Sequence, residues 1–203
     1  MSERQEATRE RLLTATLDVL GTHGVAQTTS REIAAAAGVN LQAITYHFGS
    51  KDDLVGQALV HAVRTWIEPA RTALTGIAGD PLSGLLGTVS ALQQALEQAH
   101  EHFPTYIEAL ATAARNETVR APIVALLAEL RGALATSIRE LRDAGLIAAW
   151  VEPEPMASLI VAAGDGFVLH STLDPESYAA EPTLGQVVQL LLAAAVAPVD
   201  DRP

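Results

Sequence analysis

The stretch that decides the fold is TSREIAAAAGVNLQAITYHFGSK, residues 29–51. Thr29 is followed three residues later by Glu32. This is the spacing of a capping box, in which a hydroxyl and a carboxylate satisfy the exposed N–H groups of a first helical turn. We therefore predict a short helix that begins after Thr29, runs through Ile33 and ends near Gly38, where a tight turn needs a positive φ.

A second short helix follows this turn. Asn40 can cap it, and its residues run from Leu41 to about Phe48. Ala34 is small enough to let two such helices cross closely, as they do in a helix-turn-helix. Four apolar residues would bury the pair against a preceding helix: Ile33, Val39, Ile44 and Phe48. The other side of the second helix would face a DNA major groove with Leu41, Gln42, Ala43, Thr45 and Tyr46. Taken alone, the pattern fits a purely structural helical hairpin equally well.

The wider N-terminal sequence resembles the TetR family of bacterial regulators, from Arg9 to about Leu59. An apolar first helix ends in a glycine-rich turn at Gly21 and Gly24. The other matching features are Thr29, Ile33-Ala34, Gly38-Val39, the run from Tyr46 through His47, Phe48, Gly49 and Ser50 to Lys51, and Leu54. The resemblance implies a regulator of transcription that reads operator DNA. The C-terminal three quarters resemble the family only in length and helix pattern.

The resemblance also implies roles for individual residues. Phosphate contacts are expected from Ser30, from Thr45 or Tyr46, and from Lys51. Many members of the family place a tyrosine where this chain has Thr45, so either hydroxyl is a candidate. Base edges are expected to be read by Arg31 and Gln42, and by Ala43 through its methyl group, which agrees with the chemistry of guanine, adenine and thymine. The full predicted DNA-binding set is Thr29, Ser30, Arg31, Asn40, Leu41, Gln42, Ala43, Thr45, Tyr46, His47 and Lys51.

Charge is distributed unevenly along the chain. The net charge is −11, yet residues 1–51 carry five basic against five acidic side chains, whereas residues 52–203 carry eight against nineteen. Only the N-terminal quarter could approach phosphates without strong repulsion. The chain has no cysteine, which fits a reducing cytosol. Its charged first residues do not form a signal peptide, and the apolar tract 187–198 is too short for a membrane span. We expect a soluble, cytoplasmic protein.

The remaining sequence predicts an all-α fold of about nine helices. Helix four is expected to begin after Ser50 and to kink or end at Pro69. Helix five follows Asp80-Pro81 and helix six begins at Pro104. The last three are expected at 118–144, from Pro153 to about 173, and at 184–197. We assign residues 1–50 to a helix-turn-helix DNA-binding domain and residues 51–203 to a ligand-binding and dimerisation domain.

The C-terminal domain is expected to form a homodimer and to hold a small effector. The last two helices are the predicted dimer surface, since Ala163, Gly164 and Gly166 allow close approach; a fully buried monomer helix is the alternative. Large or amphipathic residues are candidates for the effector pocket, although core packing is the more common role for any one of them: Trp66, His100, Phe103, Tyr106, Trp150 and Phe167. His100 and His102 do not share a helix face, so no metal or other cofactor is predicted.

The predicted function is a ligand-responsive repressor that a small molecule releases from a palindromic operator. One alternative is a DNA-binding protein that responds to no ligand. Another is a small helical enzyme in which His61, His100 or His170 meets a carboxylate in space. No catalytic residue is predicted. Activation in place of repression also remains open, because the sequence does not reveal where the operator lies.

Overall fold

The computed structural model describes residues 3–75 and 103–174, together with positions 83, 87, 90, 176, 186 and 189. Every regular element in these residues is a helix. The helices are α1 (Glu3–Gln27), α2 (Ser30–Ala36), α3 (Gln42–Phe48), α4 (Lys51–Thr75), α5 (helical over 103–113), α6 (Glu117–Asp143) and α7 (Pro153–Leu173). The prediction of an all-α chain is confirmed for the described part.

The number of helices differs from the prediction of about nine. The described residues form seven, because the segments assigned to helices five and nine lie almost wholly outside them. Pro69, expected as a kink or an end, stands inside α4, which continues to Thr75. The predicted stop after helix one is only partial. Gly24 has φ +71° and interrupts the helical geometry, but α1 resumes and ends at Gln27.

The chain divides into two compact units. The first comprises residues 1–66 and 101–126, and the second comprises residues 67–100 and 127–203. The core of the first unit contains Leu12, Leu13, Ile33, Ala34, Ile44, Phe48, Leu54 and Ala58. The core of the second contains Leu74, Leu134, Ile138, Leu141, Ile147, Val151 and Ala157. The first part of α4 thus belongs to the same unit as α1, α2 and α3.

Candidate nucleic-acid interface

The N-terminus of α2 is closed by the predicted capping box. Thr29 Oγ1 accepts a hydrogen bond from the Glu32 backbone N–H at 3.3 Å, while Glu32 Oε2 accepts from the Thr29 N–H at 3.0 Å and from its hydroxyl at 2.8 Å. These bonds to Thr29 lower the pKa of Glu32, because they stabilise its carboxylate form. The Thr29 hydroxyl thus both accepts and donates within the cap, and the contact of Thr29 with DNA stays a prediction.

The turn between α2 and α3 has the geometry that its glycine predicts. Gly38 has φ +63°, and the Val39 N–H donates to the Ala34 carbonyl at 3.0 Å. Asn40 Oδ1 then accepts from the Ala43 N–H at 2.9 Å, which satisfies a donor at the start of α3. These two hydrogen bonds, one at each end of the turn, set the direction in which α3 leaves it.

The α3 helix has one buried side and one exposed side. Ile44 and Phe48 are 2% and 7% exposed and belong to the core of the first unit. The opposite side carries Leu41, Gln42, Thr45 and Tyr46, all exposed, with Tyr46 70% accessible. Ala43 and His47 are half-buried. The segment predicted to read DNA thus projects its polar side outward.

Residues of α1 hold the aromatic side chains of α3. Gln5 Nε2 donates a hydrogen bond to the Tyr46 hydroxyl at 2.8 Å. The Arg9 guanidinium lies 5.1 Å from the centre of the Phe48 ring and donates to Gln57 Oε1 at 2.5 Å. Sequence reasoning missed both contacts. The one available signal was that Gln5 and Arg9 are four residues apart, and so lie on one face of α1.

The start of α4 is capped by Ser50, as predicted. The Ser50 hydroxyl accepts from the Asp53 N–H at 3.0 Å and donates to the Asp53 carboxylate at 2.6 Å. Lys51, the only lysine of the chain, donates through Nζ to the Thr28 carbonyl at 3.1 Å. Its side chain is 33% exposed and stands 3.8 Å from Asp52 Oδ1. Since an ammonium has three N–H donors, this bond leaves donors for a phosphate.

The two remaining predicted contacts are at the start of α2. Arg31 is exposed, and its guanidinium makes no hydrogen bond or ion pair within the described part of the chain. Ser30 is half-buried beside it. Arg31 thus extends from the first turn of α2 without a protein partner in these residues.

The predicted effector residues are divided between the two units. The ring of Trp66 is tilted by 56° against that of Tyr106, with 4.8 Å between their centres, and the Tyr106 ring lies 6.1 Å from that of Phe103. All three residues belong to the first unit. Trp150, 66% exposed, and the half-buried Phe167 belong to the second unit. His100 lies outside the described residues.

Each unit also contains an open cleft. The cleft of the first unit, about 240 Å³, is lined by residues of α1, α4 and the start of α6, including Arg9, Asp53, His61 and Val119. The cleft of the second unit, about 370 Å³, lies between α4 and α6 and carries Arg71, Glu129 and Glu140. None of the five predicted effector residues that the structure describes lines either cleft. His61 and His170, considered for an enzyme, fall in different units. No group of three metal-ligating side chains is found among the described residues.

Two family descriptions match the chain over most of its length. Residues 12–58 match the bacterial regulatory proteins of the tetR family. Residues 81–196 match the BetI-type transcriptional repressor C-terminal family. The HTH-type transcriptional dual regulator CecR of Shigella flexneri is 50% identical over 54 residues, which are 27% of this chain and 24% of that protein. The chain therefore matches about a quarter of that relative.

Solved structures share the fold across nearly the whole chain. One from Pseudomonas aeruginosa PAO1 has a TM-score of 0.77 at 23% identity, covering 95% of this chain and 91% of that chain. SmeT, the repressor of the Stenotrophomonas maltophilia multidrug efflux pump SmeDEF, has a TM-score of 0.70 at 19% identity, covering 99% and 98%. A SmeT–triclosan complex has a TM-score of 0.72 at 21% identity, covering 97% and 98%.

Proposed function

Since this chain belongs to the tetR family of bacterial regulatory proteins, we propose that it is a repressor that binds a palindromic operator through α3 and is released by a small molecule. The observation that carries the proposal is the orientation of α3. Its apolar residues Ile44 and Phe48 lie in the core, while Gln42, Thr45 and Tyr46 are exposed. A helix held in this way can enter a major groove without losing its packing.

The division of labour between bases and phosphates follows from side-chain chemistry. Arg31 and Gln42 are exposed and can form bidentate pairs with guanine and adenine, with the Ala43 methyl against thymine. Phosphates are bound by Ser30, by Thr45 or Tyr46, and by Lys51. In this scheme Thr29 and Asn40 act through the caps that they form, while Leu41 and His47 border the contact. The DNA-binding domain comprises residues 1–50.

A dimer is needed because one recognition helix reads only a few base pairs, whereas a palindrome is read by two. The apolar helix α7 supplies a surface for this purpose. Leu159 and Leu173 are 61% and 75% exposed within a single chain. A Cβ added at Gly164 or Gly166 would meet nothing within 4 Å, so a partner helix could approach closely there. The predicted second dimer helix, 184–197, lies outside the described residues except for positions 186 and 189.

The proposed dimer also explains why α7 is apolar, because a second copy of the chain would cover its exposed face. By length and composition alone, α6 and α7 could each cross a membrane. Glu129 and Arg131 in the middle of α6 and Asp165 in α7 would be costly inside a bilayer. We therefore assign the chain to the cytoplasm and assign the exposed face of α7 to its partner copy.

The effector acts through the domain formed by residues 51–203. Helix α4 carries Lys51 in its first turn and Trp66 further along, where the indole contacts Tyr106. A ligand that displaces Trp66 moves the helix that bears Lys51. Major grooves on one face of DNA repeat about every 34 Å. A small change in the distance between the two DNA-binding domains of a dimer therefore weakens their simultaneous binding to the operator. By linkage, DNA and effector then weaken each other's binding. The proposal includes no catalytic step, metal or cofactor.

The DNA-binding part is tested by selecting bound fragments from a random duplex pool with the full-length chain at low salt. The selected sequences should be two-fold symmetric, and Gln42→Ala should change the bases selected without unfolding the chain. Thr65→Ala is the matched control, because Thr65 lies on α4 and, among the described residues, bonds only to the carbonyl of His61. A chain that retains no duplex at low ionic strength contradicts the proposal.

The effector part is tested by fluorescence. Trp66 and Trp150 are the only tryptophans, so a Trp150→Phe variant reports on Trp66 alone. Metabolites and drug-like compounds, triclosan among them, are screened for a change in this emission. Every compound that changes it should also lower the affinity for the selected operator. Compounds that bind but leave operator affinity unchanged would contradict release by an effector.

A further inference from the structure

We infer that Gln5, in the first turn of α1, is a positioning residue for DNA binding, which holds the Tyr46 hydroxyl so that it donates its proton to a backbone phosphate. The inference rests on the proposed function of α3. It adds to the interface a residue that lies 24 positions before its first predicted member, Thr29.

The contact joins two distant parts of the chain on the outer side of α3. Gln5 Nε2 lies 2.8 Å from the Tyr46 hydroxyl oxygen, and the two residues are 41 positions apart. Tyr46 is 70% exposed, whereas Gln5 is half-buried. The first turn of α1 therefore lies beside the side of α3 that faces away from the core.

The phenol ring is held at a second point. The His47 ring meets the Tyr46 ring edge-on, with 4.9 Å between their centres. A tyrosine that is so largely exposed would otherwise sample several rotamers. Because the ring and the hydroxyl are each held by a neighbour, less side-chain entropy is lost when DNA binds.

The direction of the hydrogen bond decides what the hydroxyl can do next. The amide of Gln5 donates and the Tyr46 oxygen accepts. A phenol has one proton to donate, and this contact does not use it. A phosphate oxygen can only accept, and a hydrogen bond to a charged acceptor is stronger than one between neutral groups. The Tyr46 hydroxyl is thus polarised toward the kind of partner that the DNA backbone presents.

The test is a double-mutant cycle with the full-length chain and the selected operator. Tyr46→Phe removes the hydroxyl and should weaken binding about tenfold. Gln5→Met keeps the length and helix preference of the side chain and should weaken binding about threefold or more. In the Tyr46→Phe background, Gln5→Met should have no further effect. Additive losses, or no loss from either substitution in the parent chain, would overturn the inference.

Two further readouts separate positioning from a general effect on α1. Tyr46→Phe and Gln5→Met should each weaken binding to the operator and to random duplex by the same factor. The dependence of binding on salt concentration should not change, because no charge is lost. Thr8→Val is the control: in the described part of the chain the Thr8 hydroxyl bonds only to the Arg4 carbonyl of the same helix, so its loss should leave affinity unchanged. Equal losses from Thr8→Val and Gln5→Met would reduce Gln5 to a structural role and refute the inference. If the parent chain binds no duplex, the proposed function itself fails.

Discussion

Replacing Gly56 by alanine should destabilise the protein, although alanine is the better helix former. Gly56 is buried inside α4, and a Cβ built there would lie 2.7 Å from Cγ2 of Val119 in α6. Val119 is 2% exposed, and a β-branched side chain in a helix has essentially one rotamer. Overpacking of this kind costs about 1–3 kcal/mol, while removing a helical glycine gains about 0.8–1.0 kcal/mol. We expect a net loss of about 1 kcal/mol.

Gly132 supplies the matched control. It lies inside α6, and a Cβ added there would meet nothing within 4 Å. Gly132→Ala should therefore keep the full helix gain and stabilise the protein by about 0.8–1.0 kcal/mol. The two identical substitutions should differ by about 2 kcal/mol in urea unfolding. Both are measured at one protein concentration, because a dimer's stability depends on concentration.

A second substitution tests whether the stability lost in Gly56→Ala comes from the contact with Val119. Val119→Ala in the parent chain removes two methyl groups and should cost about 2 kcal/mol. In the Gly56→Ala background it should cost much less, because it also removes the clash. If Gly56→Ala stabilises the protein as much as Gly132→Ala does, the close approach of α4 and α6 at this point is wrong.

Four further substitutions test the helix-turn-helix and the start of α4. Arg31→Ala should relax base preference and cost about 1–3 kcal/mol of operator affinity, whereas Lys51→Ala should weaken binding to all duplexes alike and flatten its salt dependence; equal, sequence-blind losses measured by fluorescence anisotropy would contradict these roles. Hydrogen bonds from Thr29 lower the pKa of Glu32, so the capping box stabilises α2 fully above the ordinary glutamate pKa and ceases to do so as the pH falls through the lowered value. Thermal unfolding over a series of acidic pH values should thus show a smaller acid-induced loss for Glu32→Gln, and an unchanged pH profile would refute this linkage. Ser50→Ala removes the cap of α4 and should lower the free energy of unfolding by about 1 kcal/mol; a stability equal to that of the parent chain would show that the cap contributes nothing.

Much of the helix-turn-helix could be predicted because its signals are local. The cap at Thr29, the turn at Gly38 and the outward side of α3 each depend on residues within one or two helical turns. The bounds of α6 and α7 also agree closely with the predicted helices at 118–144 and from Pro153 to about 173. Long apolar helices with clear end signals are well determined by their own sequence.

The predictions that differed from the structure depended on the surroundings of a residue. Gly24 has the positive φ expected of a helix stop, yet the chain returns to helical geometry after it. Of the kink or end expected at Pro69, the end is wrong, because α4 continues to Thr75. Trp150 stays a prediction for the effector pocket, and its 66% exposure within the single chain is a feature that the sequence did not indicate. Residue type shows that a side chain is large and apolar, but only packing determines whether other residues cover it.

The local sequence alone determined the cap hydrogen bonds, the sign of φ at Gly38 and the periodicity that places Ile44 on the apolar side of α3. Each of these features depends on residues four or fewer positions apart. The meeting of Gln5 with Tyr46, of Arg9 with Phe48 and of Gly56 with Val119 was decided only when the helices packed. Each of these pairs joins residues about 40 or more positions apart. Many other residues of similar chemistry could occupy each place, so no pattern along the chain singles out the partner.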